Sequence, residues 1–289
     1  MLSERQQDDF HRYGYICLPG ALTSDQVERA KTVFAEWVDQ SRDHNSPFGE
    51  MIDGRKRFDL ENGHSSKTPA LRRVSSPEEV STAYLSIVRE SPAIEALADL
   101  IGPDIKFHHS KINAKLPGAT TSVKFHQDFP FTPHSNDDLI TVLYFLDDVT
   151  EENGALEVVP GSHRGPIHSL WQNGQFTGSV AAKTAAAAKA QATVCTGPAG
   201  SACLMHTRLL HGSAPNQSSN PRTLYIAVYS AADAVPLSPS PVPSRFCGEL
   251  IRGTGGNTIR TTSFEMEMPE LPTGASFFSQ QSRTDSQSD

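Results

Sequence analysis

Cysteine is scarce in this chain, and the four present, Cys17, Cys195, Cys203 and Cys247, show no C-x-x-C spacing. Such a pattern suggests neither a zinc site nor a disulfide framework, so ordinary buried or surface thiols are expected. Long apolar runs are missing too: no stretch approaches the roughly 20 apolar residues that span a bilayer. The opening MLSERQQDDF lacks the basic-then-apolar order of a secretory leader, and a cytoplasmic protein without membrane contact is expected. Positive charge is outnumbered, with 25 Lys and Arg against 33 Asp and Glu and a net charge of −8. This balance disfavours non-specific binding to nucleic acid or anionic lipid and leaves room only for a local basic pocket. No internal repeat is visible. What remains is 289 residues, 37% hydrophobic, enough to bury a sizeable core.

The N-terminal part, about 1–103, reads as helical. LTSDQVERAKTVFAEWVDQ has Thr23 and Gln26 at capping-box spacing and then places Val27, Ala30, Phe34, Trp37 and Val38 on one helical face. A second helical region follows Ser76-Pro77-Glu78-Glu79 and ends at Gly102-Pro103. Residues 44–75 between them are polar and turn-rich and predict long loops. From about 104 to 231 the chain changes to short apolar or alternating segments separated by turns, the pattern of an antiparallel sandwich or barrel. Asn153-Gly154 and Pro160-Gly161 read as turns within it, the first as a hairpin. The Ala-rich run 180–192 predicts a helix or a mobile insertion. One domain over 1–273 is expected, with 274–289 a disordered tail.

In VKFHQDFPF, His126 and Asp128 stand two apart in an aromatic strand-like segment. An H-x-D match is expected by chance about as often as not in a chain of this composition. Two side chains at i and i+2 share a strand face, however, and a buried carboxylate needs a partner, which a metal ion supplies. A second histidine would complete a two-histidine, one-carboxylate facial triad with open positions on Fe(II). His206 and His211 are both candidates. Arg222 opens an apolar strand 11 residues after His211, and its guanidinium fork suits a carboxylate.

His126, Asp128, His211 and Arg222, together with ENGALEVVPGSHRG at 152–165, resemble the phytanoyl-CoA dioxygenase family of Fe(II)/2-oxoglutarate oxygenases, which includes ectoine hydroxylase. The resemblance spans about residues 10–250. It implies a mainly β fold, a double-stranded β-helix (jelly-roll, cupin-like) buttressed by the N-terminal helices. It makes His126, Asp128 and His211 the catalytic metal ligands and Arg222 the anchor of 2-oxoglutarate. Asn113, Ser213, Gln127 and Tyr144 fall where the family lines the co-substrate site. The implied reaction consumes O2, decarboxylates 2-oxoglutarate to succinate and CO2, and hydroxylates or desaturates a small molecule. Asp128 itself argues against halogenation, because related halogenases have glycine or alanine at that position.

Substrate is less legible. Lys111, Lys124, Arg55, Arg57, Arg72, Arg73 and Arg245 make an anionic group on the substrate attractive, and Phe125, Phe129, Phe131 and Trp171 offer an apolar wall. Lys111, Phe129 and Trp171 are the candidate substrate contacts for a small, polar or anionic molecule. A monomer or homodimer is expected. The rival reading is a zinc-bound jelly-roll isomerase or a non-catalytic binding protein, which would have no need of Arg222.

Overall fold

The computed structural model describes residues 1–270 and 277–282. Helix α1 (Glu4–Tyr13) leads into strand β1 (Tyr15–Leu18), and α2 (Ser24–Ser41) follows. Thr23 caps α2 as the sequence predicts: its hydroxyl accepts from the Gln26 N–H at 3.2 Å, and the Gln26 side chain accepts from the Thr23 N–H at 3.0 Å. The second helical region is split into α3 (Thr82–Glu90) and α4 (Ala93–Ile101). Pro92 makes the break, because it cannot donate to a preceding turn and pushes Ser91 out of the helical region.

Residues 44–75 are not loops throughout. They hold β2 (Phe48–Ile52), β3 (Arg55–Leu60) and β4 (Leu71–Ser75), which bury Phe48, Phe58, Leu60, Leu71 and Val74. Register shifts within the β2–β3 and β3–β4 pairs break the two-residue alternation by which strands are recognised in sequence.

The remaining strands are β5 (Ile105–Lys115), β6 (Val123–His126), β7 (Leu139–Phe145), β8 (Leu156–Val158), a small ribbon of β9 (Trp171–Gln172) and β10 (Gln175–Phe176), then β11 (Thr193–Cys195), β12 (Ala202–His206), β13 (His211–Ser213), β14 (Arg222–Ala231) and β15 (Leu250–Arg252). Helix α5 (Ala182–Gln191) precedes β11, and α6 (Phe277–Ser282) is the last described element. One antiparallel sheet runs β1-β12-β7-β14-β5-β4-β3-β2, with β15 on β5, and a second runs β11-β8-β13-β6. The steps from β5 to β6, β6 to β7, β7 to β8, β11 to β12, β12 to β13 and β13 to β14 each change sheet. This is the expected jelly-roll. Asn153-Gly154 therefore lies in a crossover, not a hairpin: the Asn153 side chain accepts from Thr150 N and donates to Asp148 O.

Strand alternation divides the interior into two layers. Ile112, Val142, Tyr144, Tyr225 and Tyr229 face the helices, where they pack with Phe34, Tyr84, Ile87 and Leu97. Leu143, Phe145, Leu224 and Ile226 face the second sheet and meet Leu156, Val158 and Met205. Each fully buried side chain of this kind contributes about 1.5–3 kcal/mol, and the helix layer holds the large sheet rigid behind the second, more polar chamber. The Ala-rich run forms α5, whose Ala188 packs with Phe125, Val180 and Leu210 on the outside of the small sheet.

Replacing Thr23 by Ala should remove the α2 cap and lower stability by about 1 kcal/mol, read as a reduced denaturant midpoint with an unchanged slope.

Candidate active site

His126 is the last residue of β6, but Asp128 is not on the strand. Its φ of −75° and ψ of −32° place it in the right-handed helical region, opening a 3-10 turn over Phe129–Phe131. A chain reversal, rather than strand alternation, thus brings the two together. His211 opens β13 directly across from His126 in the β6–β13 register. The Nε2 atoms of His126 and His211 each lie 3.6 Å from Asp128 Oδ1, and the three ligand atoms fall within 4.8 Å of one another.

The donors are oriented by their outer partners. His126 Nδ1 is 2.8 Å from Lys124 O, and His211 Nδ1 is 2.9 Å from Leu209 O. Each carbonyl takes an Nδ1–H, which leaves each Nε2 lone pair aimed at the centre. Thr141 Oγ1 donates to Asp128 Oδ2 at 2.7 Å. Burial, reinforced by His126, lowers His211 to about 4, so its ring is neutral and ready to ligate at neutral pH. Burial alone would raise the Asp128 carboxyl, but His211, His126 and Lys111 outweigh it and hold Asp128 well below the ordinary carboxylate range. Two imidazole Nε2 atoms and one carboxylate on one face of an opening match a divalent first-row metal with further positions free.

His206, the other candidate third ligand, ends β12 with its ring 5.2 Å from the His163 ring and 6.5 Å from Phe10, against α1. His108, His109 and His134 form a separate buried group, joined through a 2.6 Å contact between the Nδ1 atoms of His108 and His109.

Beside the triad, the chamber between the sheets is lined by Asn113, Lys115, Ser213 and Arg222. Arg222 is buried at the start of β14; its Nη1 donates to Asn113 O at 3.1 Å, and its Nε has no partner. Asn113 Oδ1 is likewise buried and unpartnered. Lys115 donates to Ser213 Oγ at 2.7 Å and to Ala214 O. Burial and the neighbouring Arg222 lower Lys115 to about 6, and burial lowers Arg222 to about 10. Gly154 has φ +84°, and a Cβ there would come within 2.8 Å of Lys115 Cδ and Ala214 O. Glycine at this turn is what lets the lysine lie flat across the chamber end. The unpartnered Arg222 Nε and the Lys115 ammonium at this end of the chamber are donors from which a carboxylate can accept, whereas the buried Asn113 Oδ1 is itself an acceptor and needs a donor.

Several expected contacts are elsewhere. Gln127 points away from the chamber, because its neighbours His126 and Asp128 both face it; its amide donates to Pro166 O and Arg208 O and accepts from His168 N. Tyr144 lies on the helix side of β7, 2.7 Å from the Ser91 hydroxyl, since Thr141 and Leu143 take the chamber face. Phe129 is fully buried with Leu139, Val228 and Ala234, 5.1 Å from the Phe264 ring. Trp171 donates to Met268 O and packs on Phe176. Lys111 does face the interior.

On the other side of Asp128, Arg55, Arg73, His109, Lys111 and Phe131 surround a second cavity of about 50 Å³. The other basic candidates are occupied: Arg57 by Glu50 and Glu79, Arg72 by Asp59, Arg245 by Glu79, and Lys124 by Gln281 O. Helix α6 closes this region, with the Phe277 ring 5.1 Å from His126 and 5.7 Å from Phe131. Of the expected tail, 274–276 and 283–289 lie outside the described residues, while 277–282 pack on the site.

Sequence reasoning misses Lys115 and Thr141. Lys115 follows Asn113 and Lys111 at strand spacing in IKFHHSKINAKL, and Thr141 is the one hydroxyl besides Tyr144 in LITVLYF; the alternation contains both once the face is known.

The model of the phytanoyl-CoA dioxygenase (PhyH) family matches residues 10–224. The chain belongs to this family. Among curated relatives, it is 39% identical over 185 residues to a probable alpha-ketoglutarate-dependent hypophosphite dioxygenase of Stutzerimonas stutzeri, covering 63% of this chain and 64% of that protein. It is 31% identical to L-proline trans-4-hydroxylase of Streptomyces griseoviridis, covering 80% of this chain and 87% of the relative. Among solved structures, EctD from S. alaskensis with bound Fe superposes with a TM-score of 0.64 at 21% identity, over 92% of this chain and 88% of that one. The fold and the family implied by the sequence are thereby borne out, and the relatives' names agree with the expected dioxygenase class. No helix among the described residues is long and apolar enough to cross a membrane.

Thr141→Val keeps the shape and removes the hydrogen bond that aims Asp128. Affinity for Fe(II) should fall about 10–100-fold, measured by anaerobic titration, while the fold is unchanged.

Proposed function

We propose that the protein is an Fe(II)- and 2-oxoglutarate-dependent dioxygenase that hydroxylates a compact anionic molecule held against Arg73 and Lys111. The observation that carries this reading is the His126, Asp128 and His211 cluster with inward-facing basic side chains on both sides, Lys115 and Arg222 on one and Arg73 and Lys111 on the other, none of which makes an ion pair with a carboxylate among the described residues. Iron held by His126, Asp128 and His211 would supply the redox chemistry by which one atom of O2 enters the substrate and the other enters succinate as 2-oxoglutarate loses CO2. Everything else is the work of the chain. His126, Asp128 and His211 hold the metal, and Thr141 keeps the carboxylate turned to it. Arg222 binds the distal carboxylate of 2-oxoglutarate, with Lys115, Ser213 and Asn113 completing its polar contacts.

The substrate side rests on charge and size. Arg73 is 5% exposed, its Nε has no partner, and burial with repulsion from Arg55 lowers it to about 9. Burial lowers Lys111 to about 8 against the attraction of Asp128. A buried cation without a counterion is costly, and an anionic substrate offsets that cost at the point where it must be held. The cavity itself is small, about 50 Å³. Hypophosphite and proline, named for two relatives, are both small and bear an anionic group.

Succinate formation should be stimulated by small oxyanions or amino acids and not by acyl-CoA thioesters. Arg73→Ala should weaken the apparent affinity for that substrate roughly 10–100-fold and leave half-saturation by the co-substrate near its original level, with Arg222→Ala doing the reverse. No succinate with Fe(II) under any condition would sink the oxygenase reading and favour a zinc-bound or non-catalytic jelly-roll.

A dianion beside Lys115 raises its proton affinity. Because the free lysine titrates near 6, it is mostly neutral at pH 7.5, so binding of 2-oxoglutarate should take up close to one proton there. Calorimetry in buffers of different ionisation enthalpy measures this uptake, and Lys115→Met should abolish it.

A further inference from the structure

Three of the four cysteines, separated widely in sequence, meet at one point. Cys17 lies on β1, the edge of the large sheet, directly opposite Cys203 on β12. Cys195 ends β11, the edge of the small sheet. The three sulfurs lie within 4.8 Å of one another, and the Cys195 and Cys203 sulfurs are 3.8 Å apart. Cys195 and Cys203 are buried and Cys17 is exposed. The trio is thus dry on two sides and open on the third. It is formed by strands quite separate from the iron ligands.

From this convergence we infer a second metal site, a three-thiolate centre for a soft d10 cation, Zn(II) or Cu(I), with its open position toward solvent at Cys17. Two thiolates bound at about 2.3 Å to one tetrahedral zinc stand about 3.8 Å apart, so the Cys195–Cys203 spacing is already that of a pair of ligands. It is far from the ~2 Å of a disulfide. Sulfur donors select such cations, whereas the N/O set of His126, Asp128 and His211 selects Fe(II), so the two centres do not compete for one metal. Hydrogen bonds from Cys195 and Cys203 hold the Cys17 thiol below its ordinary value, while the hydrogen bonds to Cys17 and burial hold Cys195 and Cys203 well above theirs, so metal binding would have to displace the protons of those two. A bound ion would clamp the edge of one sheet to the edge of the other and tie down the N-terminal strand.

The test uses the reduced full-length chain, kept anaerobic, carrying His126→Ala and His211→Ala so that the iron site is silent. Co(II) should give sulfur-to-cobalt charge-transfer absorption at one ion per chain. Displacement by Zn(II) assigns zinc, and displacement by Cu(I) alone assigns copper. Either ion should raise the Tm and protect Cys17 from alkylation. Cys17→Ser, at an exposed position that the fold does not need, should remove the absorption and the Tm shift. Alkylation protection in the chain with all cysteines intact reads the same site should Cys17→Ser fail to fold. Absence of charge-transfer absorption, its persistence in Cys17→Ser, or a Cys17–Cys203 disulfide whose reduction yields no metal binding would each overturn the assignment.

Discussion

The carboxylate of Asp128 is what the interior of this protein is arranged around. Lys111, Arg73, Lys115 and Arg222 all line the chamber between the sheets or the cavity next to it, within a chain whose net charge is negative. The Thr141 hydroxyl fixes Asp128 in place, and the charge of that carboxylate opposes the desolvation of Lys111. The carboxylate can therefore serve a metal ion without being surrendered to a lysine, because each cation is held on a separate strand position with its own outer packing. In the proposed function, co-substrate and substrate would lie on opposite sides of one anchored charge.

Much of this is legible in the sequence because it depends on local chemistry. The cap at Thr23 follows from a hydroxyl and an amide at fixed spacing, and the triad with Arg222 follows from residue types that only a metal and a carboxylate ligand bring together in that order. The resemblance built on those residues supplies the jelly-roll. The chamber face of β5 is legible in part: Lys111 and Asn113 stand out, while Lys115, two residues on, does not.

What stays hidden depends on geometry that spacing does not encode. Asp128 meets His126 and His211 through a turn, so the i, i+2 argument names residues that do converge but by a route the structure does not use. Gln127 and Tyr144 are lost because a family position is not a side-chain direction; β7 buries both faces, and only the pairing with β12 and β14 decides which face meets the chamber. Bulges erase the alternation of β2 to β4. The thiol trio lacks any motif because jelly-roll winding, not a short loop, brings positions 17, 195 and 203 together.

The same buried cations that make the site receptive also work against the fold. Lys115 has a folded value near 6 and an ordinary unfolded value near 10, so the unfolded chain holds more protons between those limits. Stability contributed at this position therefore rises as pH increases from about 6 to 10 and is lowest where the lysine must be charged in the native state. Arg73 and Lys111 act in the same direction, since burial lowers both. An anion bound at either end of the chamber removes this penalty, because a paired cation recovers the interaction that water supplied in the unfolded chain. Binding and folding are coupled at the same side chains, and the helix-backed apolar layer is what allows the ligand-free protein to keep four basic side chains, Lys115 among them largely neutral, facing inward.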